Sequence, residues 1–474
     1  MQEAVTRLFL ILLLFIASAV SAQSPGSDRN SRSREELIKN ALASVSRVQG
    51  EVAKLRALPF RANVVAEYQT QDDFRKFVQS EIRVELPREK GEALARAVNH
   101  IGLLKEKIDL VSTIEDAQVS QAGAYYDPIT KKFYIVMVPK SATLLDTMSA
   151  HELTHALQDQ HFDLTAYLGG RGNAQGLSED EVQARRFIVE GEATLTMMAY
   201  QTRVVTKLNM LDPAYSQQTR MALNQAAGVK LSQLAEMQKQ QSSLFADIGD
   251  DIKKAMESID QIPPYILVPL FEAYFKGAVP VFETYVKGGW PAVTELYKTP
   301  PESTEQVLHP VEKLVGARDY PVGLMLPSPG KALDGWKEIY SDNMGELLWR
   351  VYFSLWDQPD PDAAASGWDG DKYVVYAMGD KTLAFISTIW DSPGDAARFA
   401  HAYLKTLGAR FPGEPAFEGE GWKGVRRPGG SVVVLEQQEN RVNIVDGCAR
   451  DLARTLLSEL HKTELRRHPR DRDN

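Results

Sequence analysis

The chain has 474 residues, of which 44% are hydrophobic, 25% charged and 9% aromatic. That balance is globular and excludes collagen-like, low-complexity and wholly disordered chains. With 54 basic against 63 acidic residues the formal net charge is −9, which leaves no electrostatic footprint for nucleic acid.

At roughly 150 residues per domain, two or three domains are expected. Residues 1–22 read as a signal peptide. Arg7 precedes the uncharged, mostly apolar run Leu8 to Val20, and Ala19-Val-Ser-Ala22 is a small-residue cleavage site. The run is too short to span a bilayer, and no other stretch reads as long and apolar enough. The mature protein is therefore expected to be exported, periplasmic or extracellular, with no stable membrane insertion. Residues 23–35 are Ser- and Arg-rich and read as a disordered lead-in.

Helices are predicted over 36–57, 71–82 and 89–105, with a short strand at Val64 to Tyr68. Two β-rich runs around Asp127-Pro128 predict a hairpin over 121–138. Long helices follow at about 143–162 and 180–208. Gln-, Ala- and Met-rich helices occupy 214–258. Residues 264–298 read as helical pieces broken by Pro280, Gly288, Gly289 and Pro291. From about 318 the texture changes. A helix near 343–357 precedes strands at 373–378 and 382–390, a helix at 393–407, strands at 431–437 and 441–445, and a helix at 449–461. That order predicts a separate α+β domain. Gly367-Trp-Asp-Gly-Asp371 reads as a tight surface turn.

The single cysteine, Cys448, rules out an intramolecular disulfide and any Cys₄ or Cys₂His₂ zinc site, and reads as a small buried hydrophobe. A metal site must draw on His, Asp and Glu. Three of the eight histidines fall between 151 and 161. In His151-Glu152-Leu153-Thr154-His155, the two histidines are one helical turn apart on one face, about 40° from each other. Both imidazoles can reach one ion, with Glu152 beside it. In a chain of this composition such a match arises by chance on the order of 0.01 times. A catalytic zinc needs a third ligand. His161 has the ten-residue offset of the metzincin pattern, but Gln158 stands where that pattern needs Gly to turn the chain back. Glu190, in Glu190-Gly191-Glu192-Ala193 on the next helix, is favoured over His161. Glu192 is an alternative whose side chain points about 200° away from that of Glu190.

The run His151 to Asp159 resembles the active-site helix of the thermolysin-like zinc peptidases, the gluzincins, and Glu190 to Ala193 is similar to their second helix. The whole chain also resembles secreted bacterial proteins that join these two helices to a Ser-Thr-Glu-Gln-x-Leu-His-Pro segment. The resemblance implies His151, His155 and Glu190 as zinc ligands and Glu152 as general base. Where thermolysin-like enzymes place an Asp four residues after the ligand Glu, this sequence has Thr194. The implied fold is α+β and mostly helical. It comprises a zincin-like catalytic domain over 36–317, with a β-hairpin beside the active-site helix, and a smaller C-terminal α+β domain over 318–474.

The implied activity is hydrolysis of peptide bonds in a peptide or protein substrate by a zinc-activated water. His309, in Ser303-Thr-Glu-Gln-Val-Leu-His309-Pro310, is the foremost candidate to stabilise the tetrahedral intermediate, although a helix-end capping role reads equally well. Tyr265 and Tyr125 are weaker candidates. An exposed edge strand in the hairpin would suit an extended peptide, and a purely structural hairpin reads equally well. The alternative is a non-catalytic zinc-bearing protein that binds peptides or partners.

Overall fold

The computed structural model describes residues 34–121, 123–139, 141–229 and 262–468. The signal peptide, nearly all of the lead-in and the predicted helical stretch over 230–258 lie outside the described residues.

The chain opens with helix α1 (Arg34–Arg56), strand β1 (Val65–Tyr68), and helices α2 (Gln71–Glu85), α3 (Arg88–Ile101) and α4 (Leu110–Gln121). The predicted helix over 89–105 stops early because Gly102 turns left-handed, with φ of 92°. The hairpin β2 (Ala124–Asp127) and β3 (Lys132–Ile135) leads into α5 (Ala142–Phe162), and α6 (Glu179–Thr206) follows. Serine hydroxyls start both long helices: Ser141 accepts from the Leu144 N–H, and Ser178 from the Glu181 N–H. Next come α7 (Ser216–Ala227) and α8 (Pro264–Lys298). Here the structure corrects the sequence reading. The helix runs through Pro269 and Pro280 and leaves helical geometry only at Gly288 and Gly289. By length and composition α8 is apolar enough to cross a bilayer, but 72% of its most apolar window is buried inside the molecule.

A short strand β4 (Gly323–Met325) precedes β5 (Lys337–Asp342) and α9 (Gly345–Leu355). Then follow β6 (Trp368–Met378), β7 (Lys381–Trp390), α10 (Pro393–Arg410), β8 (Ala416–Gly419), β9 (Trp422–Arg426), β10 (Val432–Gln438), β11 (Arg441–Cys448), α11 (Ala453–Leu460) and β12 (Glu464–Arg466). The fold is α+β and mostly helical.

Three sheets form. β1 is parallel to β3 and β2 antiparallel to it, in the order β1-β3-β2. Seven antiparallel strands run β5-β6-β7-β11-β10-β9-β8, and β12 pairs with β4. One core packs α1, the hairpin, α5, α6 and α8 around Val48, Phe133, Leu153, Phe187 and Phe282. A second joins α2 to α4 and the start of α8 to one face of the large sheet, through Phe74, Leu94, Leu110, Ile266, Trp349 and Phe399. It therefore draws on both sides of position 317. The third core packs α11 on the opposite face of that sheet. Cys448 is buried there, and burial pushes its thiol up to about 12.

Candidate metal centre

Helix α5 is covered on nearly every side: Leu145 and Thr147 to Asp159 are all buried. α1 and β2 flank it and α6 crosses it. The crossing turns Glu190 toward the two histidines. α6 meets α8 backbone to backbone at Gly191 and Gly277, where a Cβ on Gly191 would lie 2.0 Å from the Gly277 carbonyl oxygen. Glycine is required there because the helices touch without side chains between them. This accounts for the glycine beside Glu190, to which the sequence reading assigned no role.

His151, His155 and Glu190 offer three ligand atoms to one point. The two histidine Nε2 atoms are 3.0 Å apart. Glu190 Oε2 lies 3.2 Å from that of His151 and 3.4 Å from that of His155. An ion held tetrahedrally at about 2.0–2.1 Å spaces neighbouring ligands by about 3.3 Å. Burial pushes His151 down to about 4. Burial alone would push Glu190 up, but His155 and His151 outweigh it and hold the carboxyl at about 2. Neutral imidazole and ionised carboxylate are the forms that bind metals.

The support behind His155 is a chain of buried polar groups. Its Nδ1–H donates to Gln158 Oε1 at 2.9 Å, which leaves the Nε2 lone pair pointing at the cluster. Gln158 Nε2 donates to the Val189 carbonyl and to the Tyr297 hydroxyl, both at 2.9 Å. Tyr297 donates to Glu192 Oε2 at 2.5 Å, and Arg56 donates to Glu192 Oε1. Glu192 is therefore a distant prop rather than a ligand. Gln158, read from the sequence as a missing glycine, orients the His155 ring.

His151 is held differently. Its ring stacks on Tyr274 of α8, with centroids 5.4 Å apart. Among the described residues its buried Nδ1 and the Thr194 hydroxyl have no hydrogen-bond partner. Arg186, one turn before Glu190, is fully buried. Burial pushes its guanidinium down to about 10, while Glu190, Glu179 and Tyr274 pull it up. Sequence reasoning missed Gln158, Tyr274 and Arg186 because each matters only once α6 and α8 have packed.

Glu152 is buried beside the cluster, and its Oε2 accepts the Tyr126 backbone N–H at 3.0 Å. That contact favours the structural one of the two readings of the hairpin. β2 lies at the edge of its sheet, but all four of its residues are buried against α5. Asp159 secures the hairpin to α5, accepting from the Tyr126 hydroxyl and Lys131 Nζ, each at 2.7 Å.

The remaining candidates point elsewhere. His161 Nε2–H donates to the Pro59 carbonyl, 2.8 Å away on the surface. His309 turns to α9, with Nε2 2.9 Å from Glu346 Oε1 and 3.3 Å from Arg350. Tyr125 donates to Gln69 and stacks on Phe77 and Tyr134. Tyr265 is buried within reach of the charges of Glu179 and Asp342. Asp371 is no surface turn: it is fully buried at the start of β6, because two tryptophans and a backbone N–H bind it. A second acidic convergence, Glu305, Asp319 and Asp391, already holds a cation, since Lys313 Nζ lies 2.6, 2.9 and 2.7 Å from the three.

Residues 333–457, which hold all seven strands of the large sheet with α9 and α10, match a family described as Domain of unknown function (DUF8575). Nothing matches the chain among curated proteins or among solved structures.

Proposed function

We propose that the chain is an exported zinc-dependent peptidase of the zincin kind, with His151, His155 and Glu190 as ligands and Glu152 as general base. The observation that carries this reading is the triangle of two Nε2 atoms and one carboxylate oxygen, 3.0 to 3.4 Å on a side, with a buried carboxylate on the residue following the first ligand. Bound zinc would supply a Lewis acid and bring the pKa of a bound water toward about 7. Glu152 takes the water proton and delivers it to the leaving amine. The Tyr126 N–H holds one oxygen of that carboxylate and so fixes its orientation. Gln158 keeps His155 in the tautomer that presents Nε2. Tyr274 fixes the His151 ring plane from the opposite side.

The test is metal analysis of the purified chain together with Glu152→Gln on an unbiased peptide library. Stoichiometric zinc is expected in both proteins, with cleavage reduced about 10²- to 10⁴-fold in the variant. A zinc-free protein, or full cleavage by the variant, sinks the reading.

One observation favours a second reading. His151, Glu152 and His155 have no exposed surface. Closed sites are how structural zinc is held. In that reading the ion braces α5 against α6 in a non-catalytic binding protein. It predicts bound zinc, a large loss of thermal stability on chelation and no cleavage of any library peptide.

A further inference from the structure

At the far end of α6, about 24 Å along the helix from Glu190, lies a site of different chemistry. Its floor is a cavity of about 350 Å³ lined by Lys54, Arg203, Lys207, Leu208, Leu211 and Tyr285, together with Leu55 and Asn209. Three cations and no carboxylate line it, in a chain of net charge −9. Glu51 pairs with Lys54 at 2.8 Å and approaches Arg203 at 3.9 Å from outside the lining. Among the described residues Lys207 donates only to the Val204 carbonyl. Asp212, the acidic group near Tyr285, accepts from the Ala214 N–H.

Basic groups in a last helical turn have an ordinary use in neutralising the helix dipole. That use does not explain the apolar residues around them. Val204, Val205 and Leu208 are 39%, 52% and 47% exposed, and Val286 beside Tyr285 is 44% exposed. All of 203–209 is exposed, so the helix ends in an exposed tip that carries apolar and cationic side chains together. Lys207 itself occupies the left-handed cap position, with φ of 63°, where glycine is usual.

We propose that this tip docks on an anionic lipid surface, with headgroup phosphates against Lys54, Arg203 and Lys207 and with Val204, Val205 and Leu208 in the acyl boundary. Apolar contact plus basic charge is the chemistry of peripheral membrane binding. A soluble anion would have no use for the apolar tip. A second copy pairing through it would bring like charges together.

The test is flotation of the full chain with phosphatidylcholine vesicles, with and without a third of phosphatidylglycerol. Wild-type and substituted chains share one N-terminus, so any contribution of residues 1–33 cancels. Selective binding to the anionic vesicles is expected, weakened by salt. Arg203→Gln with Lys207→Gln should weaken it about 30-fold and narrow the difference between the two vesicle types, and Val204→Ser with Val205→Ser and Leu208→Ser should weaken binding to the anionic vesicles as well. Zinc content and thermal midpoint should match wild type in both, which separates this site from the metal centre. Binding to the anionic vesicles that is indifferent to both sets of substitutions overturns the proposal. So does titratable binding of glycerol phosphate without vesicle binding, or a dimer that Leu208→Ser dissolves without any vesicle binding.

Discussion

In the large sheet, buried Asp371 receives the Met344 N–H at 2.8 Å and the indole N–H groups of Trp349 and Trp368 at 2.7 and 3.1 Å. Buried Asp446 is met by Arg427, by Arg410 at 3.4 Å and by His100 at 3.6 Å. In the helical half, His151, His155 and Glu190 instead aim their ligand atoms at each other, and the supporting bonds stand behind them. Both arrangements bury charge. In the first, donors from the chain close around each carboxylate and lock β6 and β11 to α9 and α3. In the second, three groups face one another and their supporting bonds come from behind, which in the proposed reading leaves the centre to an ion. Burial of a charged side chain therefore says little about function until the direction of its partners is known.

The sharpest way to break this contrast is Gly191→Ala. The added methyl meets the Gly277 backbone, which cannot swing aside, so α6 and α8 must separate. A loss of about 3 kcal/mol or more is expected, with loss of bound metal as Glu190 moves. Denaturant unfolding and metal analysis check it. An unchanged midpoint with full metal content would show that the crossing does not set the site.

The sheet half should respond to pH through His100. Burial holds its folded pKa at about 4, below the ordinary 6.5, although Asp446 pulls it up. The unfolded chain thus binds the extra proton first as pH falls. The stability contributed by neutral His100 is complete above about 6.5 and is lost by about 4, on the order of 3 kcal/mol. Unfolding at pH 7 and pH 4.5 should show the drop, and His100→Gln should flatten it.

Gln158→Ala tests the support behind the cluster. Metal affinity should fall about 10- to 100-fold, measured by competition with a chelator, since His155 loses the partner that fixes its tautomer. An affinity equal to wild type would reduce Gln158 to packing. The smallest effect is expected for His161→Ala, within about 0.5 kcal/mol in stability and with no change in metal content. A loss of metal there would return the third-ligand question to His161.

The helix carrying both histidines is legible because a one-turn spacing is local. So are β6, β7, β10 and β11, which are runs of β-branched and aromatic residues. β5, β8 and β9 escaped because strands such as Ala416-Phe-Glu-Gly419 are short and partly exposed, with no strong alternation. The prolines of α8 mislead because tertiary packing outweighs the local penalty: Pro280 lies buried, its carbonyl taken by the Thr284 hydroxyl. Glu190 could be placed on a helix facing the histidines, but the means of approach could not. It depends on Gly191 meeting a glycine 86 positions later. Gln158 is the clearest limit. It acts through Val189 and Tyr297, which are 31 and 139 positions away.

The chain of bonds from Arg56 through Glu192, Tyr297 and Gln158 to His155 also sets a schedule. Its members come from α1, α6, α8 and α5, so nearly the whole helical half must be made and docked before His155 is oriented. In the proposed reading, the two histidines can meet an ion as soon as α5 forms, but the complete set exists only at the end of folding. Metallation is then the closing event of maturation, and for an exported chain it takes place after passage through the membrane, from the zinc available outside the cytoplasm.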